Sequence, residues 1–283
     1  MTQAVSPHIT SHATDTATSA EASAATNGHT FDLFMFMGQS NMAGRGITSE
    51  RWPQPAPEPD AGIGYEYRAI SDPGHLHPIH EPFGVNENNP HGIFEPGMKT
   101  GSMVTAFANA YVATTGTPIL GVSAAKGGSS ITQWEGRPGD FLADAIERCD
   151  AAQRFAAQHG ITLRHRYMLW CQGETDGDLG TDLEEYKQRF RSLLAQMREH
   201  GIELCFLITI GEYNGSAGTD YAPVRATQLE LASELDNVRL VNDDLHTMRA
   251  RGLMKDDFHY YQQAYNEVGT AAGEATARIV NDL

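Results

Sequence analysis

Short apolar runs alternate with longer amphipathic segments along most of the chain. Residues 33–37 form a nearly continuous apolar run, which is typical of a strand buried on both faces of a parallel sheet. Similar runs predict strands over 117–125, 166–171, 204–210 and 238–241. Apolar residues at helical spacing predict helices over 102–115, 139–159, 181–200, 223–235 and 262–280. This alternation predicts an α/β fold with about five parallel strands and helices on both faces of the sheet.

Polar residues and glycine follow three of these strands directly. They occupy positions 38–42 (Gly-Gln-Ser-Asn-Met), 126–130 (Lys-Gly-Gly-Ser-Ser) and 172–176 (Gln-Gly-Glu-Thr-Asp). Ligands in open α/β sheets gather outside the carboxyl ends of the strands. Ser40 is therefore a candidate nucleophile at the end of the first strand, although a serine here could also simply cap the next helix.

Two segments lack the alternating pattern. Residues 1–29 contain almost no large apolar side chains, which predicts a disordered tail. No apolar core of a secretory signal is visible there, so we expect a cytoplasmic location. The segment 45–100 is rich in Pro, Gly, His and Asn and predicts a loop-rich insertion over the mouth of the site, within a single domain spanning 30–283.

Composition narrows the classes of function. The chain has 20 basic and 36 acidic residues, a formal net charge of −16, which argues against nucleic-acid binding and against anionic membrane surfaces. A strongly anionic substrate would need a local basic pocket. The three cysteines lie in apolar patterns and predict buried free thiols in a reducing compartment. No run approaches the roughly 20 apolar residues that span a bilayer.

A serine esterase needs a hydroxyl, a base and a group that orients the base. Ser40 supplies the hydroxyl, and His259 can act as the base because imidazole titrates near neutrality. Asp256 lies three residues before His259, so one turn of chain can bring its carboxylate to the ring. Spacing alone does not decide this, because Asp-x-x-His is common and His259 could simply begin a helix.

The reaction also needs hydrogen-bond donors for the negatively charged oxygen of the intermediate. The predicted donors are the backbone N–H of Ser40, the N–H of Gly127 or Gly128, and the side-chain amide of Gln172. Gln172 could equally cap a helix or bond to Glu174.

Two rival sites deserve comparison. His75, His77 and His80 lie in the insertion, but no cysteine lies nearby and no acidic residue has a ligand-like spacing. Solvated or substrate-facing histidines are the favoured interpretation, and no metal or other cofactor is expected. Ser123 is a rival nucleophile, but its surroundings lack the second glycine of a nucleophile elbow.

Five motifs together resemble the SGNH hydrolases, and specifically the branch of sialate O-acetylesterases and carbohydrate esterase family 6 acetylxylan esterases. They are residues 38–44 (GQSNMAG), 125–129 (AKGGS) followed by Trp134, 169–174 (LWCQGE), 224–228 (VRATQ) and 256–259 (DDFH). The resemblance covers about residues 31–281 in the expected order. One departure is Cys171, where many relatives carry histidine.

This resemblance implies a flavodoxin-like three-layer α/β/α fold and metal-free hydrolysis of acetyl esters on carbohydrate hydroxyls. Four further residues of the motifs are candidates for supporting the site: Gln39, Asn41, Glu174 and Arg225. Glu174 could position Gln172 or Arg225, or it could only hold its loop.

The sequence thus predicts a serine esterase that acts on an acetylated carbohydrate through an acetyl-enzyme. Two alternatives stay open. One is a non-catalytic carbohydrate-binding protein on the same fold, and the other is a metal-dependent hydrolase that uses the histidines of the insertion.

Overall fold

A computed structural model describes residues 29–283, so the predicted tail, apart from His29, lies outside the described residues. Within this part of the chain, seven strands form one sheet. They are β1 Thr30–Gly38, β2 Gly64–Arg68, β3 Asp72–Pro78, β4 Ile119–Ala125, β5 Thr162–Cys171, β6 Leu204–Ile208 and β7 Val238–Asn242.

The helices are α1 Ser40–Ala43, α2 Val104–Thr115, α3 Phe141–Gln158, α4 Glu174–Leu179, α5 Leu183–Glu199, α6 Ala222–Glu234 and α7 Gln262–Asn281. Polar residues fix where two of the long ones begin. The side chain of Asp140 accepts a hydrogen bond from the N–H of Ala143 at the start of α3, and Asp182 does the same with Glu185 at the start of α5. None of the helices in 29–283 combines the length and apolar character needed to cross a membrane.

The sheet order is β3-β2-β4-β1-β5-β6-β7, and every neighbouring pair is parallel except β2 with β3. Side chains of β1 alternate between two buried clusters. Leu33 and Met35 pack in the cluster with α3, α5 and α6, whereas Phe34 and Phe36 pack in the cluster with α2 and α7. Both faces of the sheet are therefore covered, which confirms the predicted three-layer α/β/α class.

Two strands come from the segment 45–100, where the sequence predicts an insertion rich in loops. β2 extends the sheet beside β4, and β3 forms its edge. β3 has a proline at its second and its last position, and proline is tolerated only on edge strands and strand ends. In β2 the buried Glu66 is paired with Arg68, so an apolar pattern is missing although the strand is covered.

The topology brings three polar loops together. β1 lies between β4 and β5, where the strand order reverses direction. Its last residue, Gly38, is in register with the last residues of both neighbours, Ala125 and Cys171. The segments that follow these three strands therefore leave the same edge of the sheet side by side, which is the usual position of a ligand site in this class of fold.

Candidate active site

The turn that presents Ser40 depends on glycine. Gly38 has a φ of +133°, and a Cβ atom added there would lie 2.0 Å from the carbonyl oxygen of Cys171. The backbone can approach β5 this closely only without a side chain. The N–H of Gln39 then donates to that same carbonyl at 2.9 Å, and Ser40 becomes the first residue of α1.

Ser40, His259 and Asp256 form one hydrogen-bonded chain. Nε2 of His259 lies 2.9 Å from Oγ of Ser40, although the two residues are 219 positions apart. On the other side of the ring, Nδ1 lies 3.0 Å from Oδ2 of Asp256. The loop folds so that Oδ1 of Asp256 accepts hydrogen bonds from the N–H groups of Phe258 and His259, at 3.0 and 2.7 Å.

These bonds also set the charge of the carboxylate. Burial opposes its ionisation, but the hydrogen bonds from the ring of His259 and from the backbone N–H groups of Phe258 and His259 lower the pKa of Asp256 to about 2. An ionised carboxylate only accepts hydrogen bonds, so Nδ1 of a neutral His259 carries the proton and Nε2 is left as an acceptor for the Ser40 hydroxyl. The arrangement can therefore remove a proton from Ser40.

Two of the four predicted oxyanion donors are free. Among the described residues, neither the backbone N–H of Ser40 nor that of Gly128 donates a hydrogen bond, and both residues line the same cavity. The N–H of Gly127 is engaged, since it donates to Oε1 of Glu95 at 3.0 Å. Gly128 is therefore the member of the glycine pair that is available.

Gln172 does not serve as a donor in this structure, which corrects the prediction from the sequence. Its amide donates to the carbonyl oxygen of Ser129 at 2.9 Å and to Oδ2 of Asp176 at 2.5 Å, so both hydrogens are used. The side chain is fully buried and does not line the cavity. Gln172 instead holds the loop after β4 against the loop after β5.

Asn41 and Gln39 support the site from behind. The amide of Asn41 donates to Glu174 and, at 3.1 Å, to the carbonyl oxygen of Phe258, while its oxygen accepts from Tyr265. Asn41 thereby ties the turn of Ser40 to the residue before His259. Gln39 joins the same turn to the loop after β5, because its Oε1 accepts the N–H of Gly173 at 3.0 Å.

Among the described residues, Glu174 forms no hydrogen bond with either of the partners that the sequence suggests, Gln172 and Arg225. Its Oε1 accepts from Asn41, and among the described residues its buried Oε2 has no hydrogen-bond partner. Burial raises the pKa of Glu174 to about 7, with a further contribution from the nearby carboxylates of Asp178 and Asp176, while the Asn41 bond opposes the shift. Glu174 is thus a buried carboxyl group with a raised pKa in the wall of the site.

Arg225 lies elsewhere. Its Nε donates to Oδ1 of Asp243 at 2.6 Å, and the residue lines a separate cavity with Tyr213 and His246. The structure does not bring it to Ser40.

The rival sites do not assemble either. Lys99 donates to Oγ of Ser123 at 2.7 Å, and both side chains are buried. His75 and His77 both bond to Asp72, while His80 lies beside Arg68. Across residues 29–283, no group of three or more His, Cys, Asp or Glu side chains is arranged to hold a metal ion.

The reactive groups open into a cavity of about 500 Å³. Several of its walls come from residues that sequence reasoning missed: Arg45, Phe94, Glu95, Met98, Lys126 and Phe258. Four of these, Arg45, Phe94, Glu95 and Met98, belong to the predicted insertion, which therefore does reach the mouth of the site. No periodic pattern in the sequence identifies these cavity residues. The one sequence signal for them is the presence of charged and aromatic residues in a loop, and this signal is weak.

The family model described as "carbohydrate esterase, sialic acid-specific acetylesterase" matches residues 30–278. A relative from Arabidopsis thaliana, the probable carbohydrate esterase At4g34215, is 28% identical over 257 residues, which cover 86% of this chain and 89% of that protein. The solved structure of A. thaliana AT4G34215 aligns with a TM-score of 0.66 at 25% identity, over 88% of this chain and 98% of that one.

Two other solved structures share the fold at lower identity. XAC1771, described as a novel carbohydrate acetylesterase from Xanthomonas citri, aligns with a TM-score of 0.59 at 18% identity, over 89% of this chain and 57% of that one. NanS aligns with a TM-score of 0.57 at 16% identity, over 91% and 99%.

Proposed function

We propose, from the premise that the chain belongs to the carbohydrate esterase family described as sialic acid-specific acetylesterases, that it is a serine esterase that hydrolyses O-acetyl esters of carbohydrates. The observation that carries this proposal is the hydrogen-bonded chain from Ser40 through His259 to Asp256. The relative from A. thaliana, a probable carbohydrate esterase, supports the same class of reaction.

In the proposed first step, Oγ of Ser40 attacks the acetyl carbonyl carbon while Nε2 of His259 takes the hydroxyl proton. Asp256 stabilises the imidazolium that forms. The tetrahedral intermediate then collapses, the C–O bond to the sugar breaks, and His259 returns the proton to the leaving sugar oxygen. The products of this step are the free sugar hydroxyl and an acetyl-Ser40 ester.

In the second step, His259 takes a proton from water, and the hydroxide oxygen attacks the acetyl group. Collapse of the second intermediate breaks the bond to Oγ of Ser40 and releases acetic acid, which ionises to acetate in water, while His259 returns its proton to the Ser40 oxygen. In both steps we assign the N–H groups of Ser40 and Gly128 to the negatively charged oxygen, because both residues line the cavity and neither N–H donates a hydrogen bond within the described residues.

Acetate release from an aryl acetate and from an acetylated saccharide tests this proposal. Ser40→Ala should lower kcat by roughly 10⁴-fold or more, because no nucleophile remains. Ser123→Ala is the matched control, since it removes another serine at the carboxyl half of the sheet that lies outside the cavity. Circular dichroism shows whether both variants fold. A folded Ser40→Ala protein with most of its activity would refute the proposal, and binding without acetate release by the wild type would favour a carbohydrate-binding protein.

A further inference from the structure

The rim of the cavity keeps large apolar side chains exposed. Eight such residues are exposed in the described part of the chain: Ile47, Phe94, Met98, Leu179, Leu183, Leu240, Phe258 and Leu283. Three of the eight, Phe94, Met98 and Phe258, line the cavity of Ser40, at 45%, 53% and 36% exposure. Exposed apolar groups gathered around a concave site mark a surface that contacts a ligand.

We call Phe94, Met98 and Phe258 the apolar rim, and its member Phe258 lies directly beside the reacting groups. The ring of Phe258 packs edge-on against the imidazole of His259, with centroids 4.6 Å apart. A sugar that carries its acetyl group to Ser40 would therefore have its ring against the rim. The C–H faces of a pyranose ring are apolar, and aromatic rings offer them large, rigid contact surfaces.

The two cations that line the cavity share one carboxylate partner. Arg45 and Lys126 are the Lys and Arg residues that line it, and both are paired with the buried Glu95. Lys126 Nζ lies 2.9 Å from Oε1 of Glu95, the atom that also accepts the N–H of Gly127. Burial opposes ionisation of Glu95, but the Arg45 charge and the hydrogen bonds from Lys126 and Arg45 hold its pKa below the ordinary value.

The other ionisable groups of the lining add no positive charge. Glu174 and Asp178 are carboxyl groups, and His259 is committed to the reaction. Lys255 belongs to the loop that carries Asp256 and His259. It lies next to Asp256 and does not line the cavity. The whole chain carries −16, which repels anions at long range.

Given the proposed esterase function, we infer that the acyl acceptor is a neutral acetylated pyranoside whose ring packs on the apolar rim. Sugars that carry a carboxylate are disfavoured, because Arg45 and Lys126 both pair with Glu95 and Asp178 adds a second carboxylate, so the lining has no excess positive charge. Phe94 and Met98 are then specificity-determining residues. Glu95 forms ion pairs with the two basic side chains of the lining, Arg45 and Lys126.

The test compares kcat/KM of the full chain on an acetylated methyl xyloside, on O-acetylated sialic acid and on ethyl acetate. The wild type should prefer the xyloside to the sialic acid. Phe94→Ala should raise KM for the xyloside about tenfold and leave kcat/KM for ethyl acetate within about twofold. Leu240→Ala removes a similarly exposed apolar side chain on β7 that lies outside the cavity, and it should change neither value.

Glu95→Gln provides the charge test. The amide keeps an oxygen for Gly127 but releases Arg45 and Lys126, so the ratio of kcat/KM on sialic acid to that on the xyloside should rise about tenfold at low salt and fall again as salt is added. Comparing ratios cancels any general loss of activity in this variant.

Three outcomes would overturn the inference. The first is a salt-sensitive preference of the wild type for the sialic acid. The second is an equal loss on the xyloside and ethyl acetate in Phe94→Ala, and the third is an unchanged ratio in Glu95→Gln. Activity on ethyl acetate that depends on Ser40 would, in each case, leave the proposed esterase function standing. If wild type and Ser40→Ala are equally inactive on all three esters, the proposed function fails and the inference fails with it.

Discussion

Replacing Glu174 with glutamine isolates the free energy of ionising a buried carboxyl group beside Ser40. Burial, reinforced by the nearby Asp178 and Asp176, raises the pKa of Glu174 from 4.5 to about 7. Between these pH values the folded protein binds more protons at this position than the unfolded chain does. The stabilising contribution of Glu174 is therefore complete below about pH 4.5 and is lost as the pH rises towards 7.

The raised pKa of Glu174 sets how much the free energy of unfolding should change with pH. A pKa difference of one unit corresponds to about 1.4 kcal/mol, so moving from 4.5 to about 7 corresponds to about 3 kcal/mol. Glutamine does not titrate, and its oxygen can still accept the hydrogen bond from Asn41. The free energy of unfolding of Glu174→Gln minus that of the wild type should therefore increase by about 3 kcal/mol between about pH 4 and about pH 8.

Urea denaturation followed by circular dichroism at a series of pH values measures this difference. Titrations common to both proteins cancel, and so does any constant cost of burying an amide. Glu199→Gln, which changes an exposed carboxyl group near the end of α5, is the matched control and should show no such slope. A difference between Glu174→Gln and the wild type that does not vary with pH would refute the argument, because it would mean that Glu174 ionises as freely in the folded protein as in water.

Two further predictions concern the reaction and the corrected oxyanion site. Asp256→Asn should lower kcat by about 10⁴-fold at neutral pH with the fold intact, because an amide facing Nδ1 favours the wrong tautomer of His259; steady-state kinetics measure this, and a loss below about tenfold would contradict it. Gln172→Ala should lower the free energy of unfolding by about 1–3 kcal/mol, because it removes the amide that donates to the buried Asp176 and to the carbonyl oxygen of Ser129. Urea denaturation measures this stability. A large loss of kcat without a loss of stability would contradict the prediction and would indicate that Gln172 does donate to the oxyanion.

Local signals were sufficient for the central parts of the fold and of the candidate site. A continuous apolar run ending at Gly38 predicts β1 and the turn of Ser40, and Asp-x-x-His places Asp256 one turn from His259. The match of the family model over 30–278 confirms the resemblance predicted from the five motifs. Each of these signals lies within a few residues of chain or in a fixed order of short motifs.

The remaining features depend on contacts between distant segments. The side-chain amide of Gln172 donates both of its hydrogens, one to the carbonyl oxygen of Ser129, which is 43 positions away, and one to Asp176. Gly127 gives its N–H to Glu95, 32 positions earlier in the chain. β3 contains two prolines and no apolar pattern, so its pairing with β2 is visible only once the sheet edge is known. Sequence patterns report burial and local geometry, but they do not report which distant partner occupies a donor.

The most direct measurement of the central claim is covalent labelling by a fluorophosphonate ester, followed by mass spectrometry of the digested protein. The account predicts stoichiometric modification of Ser40 in the wild type and a rate of labelling that falls by several powers of ten in His259→Ala, because the hydroxyl loses its base. Labelling of Ser123 or another residue in preference to Ser40, or labelling of Ser40 at an unchanged rate without His259, would contradict it.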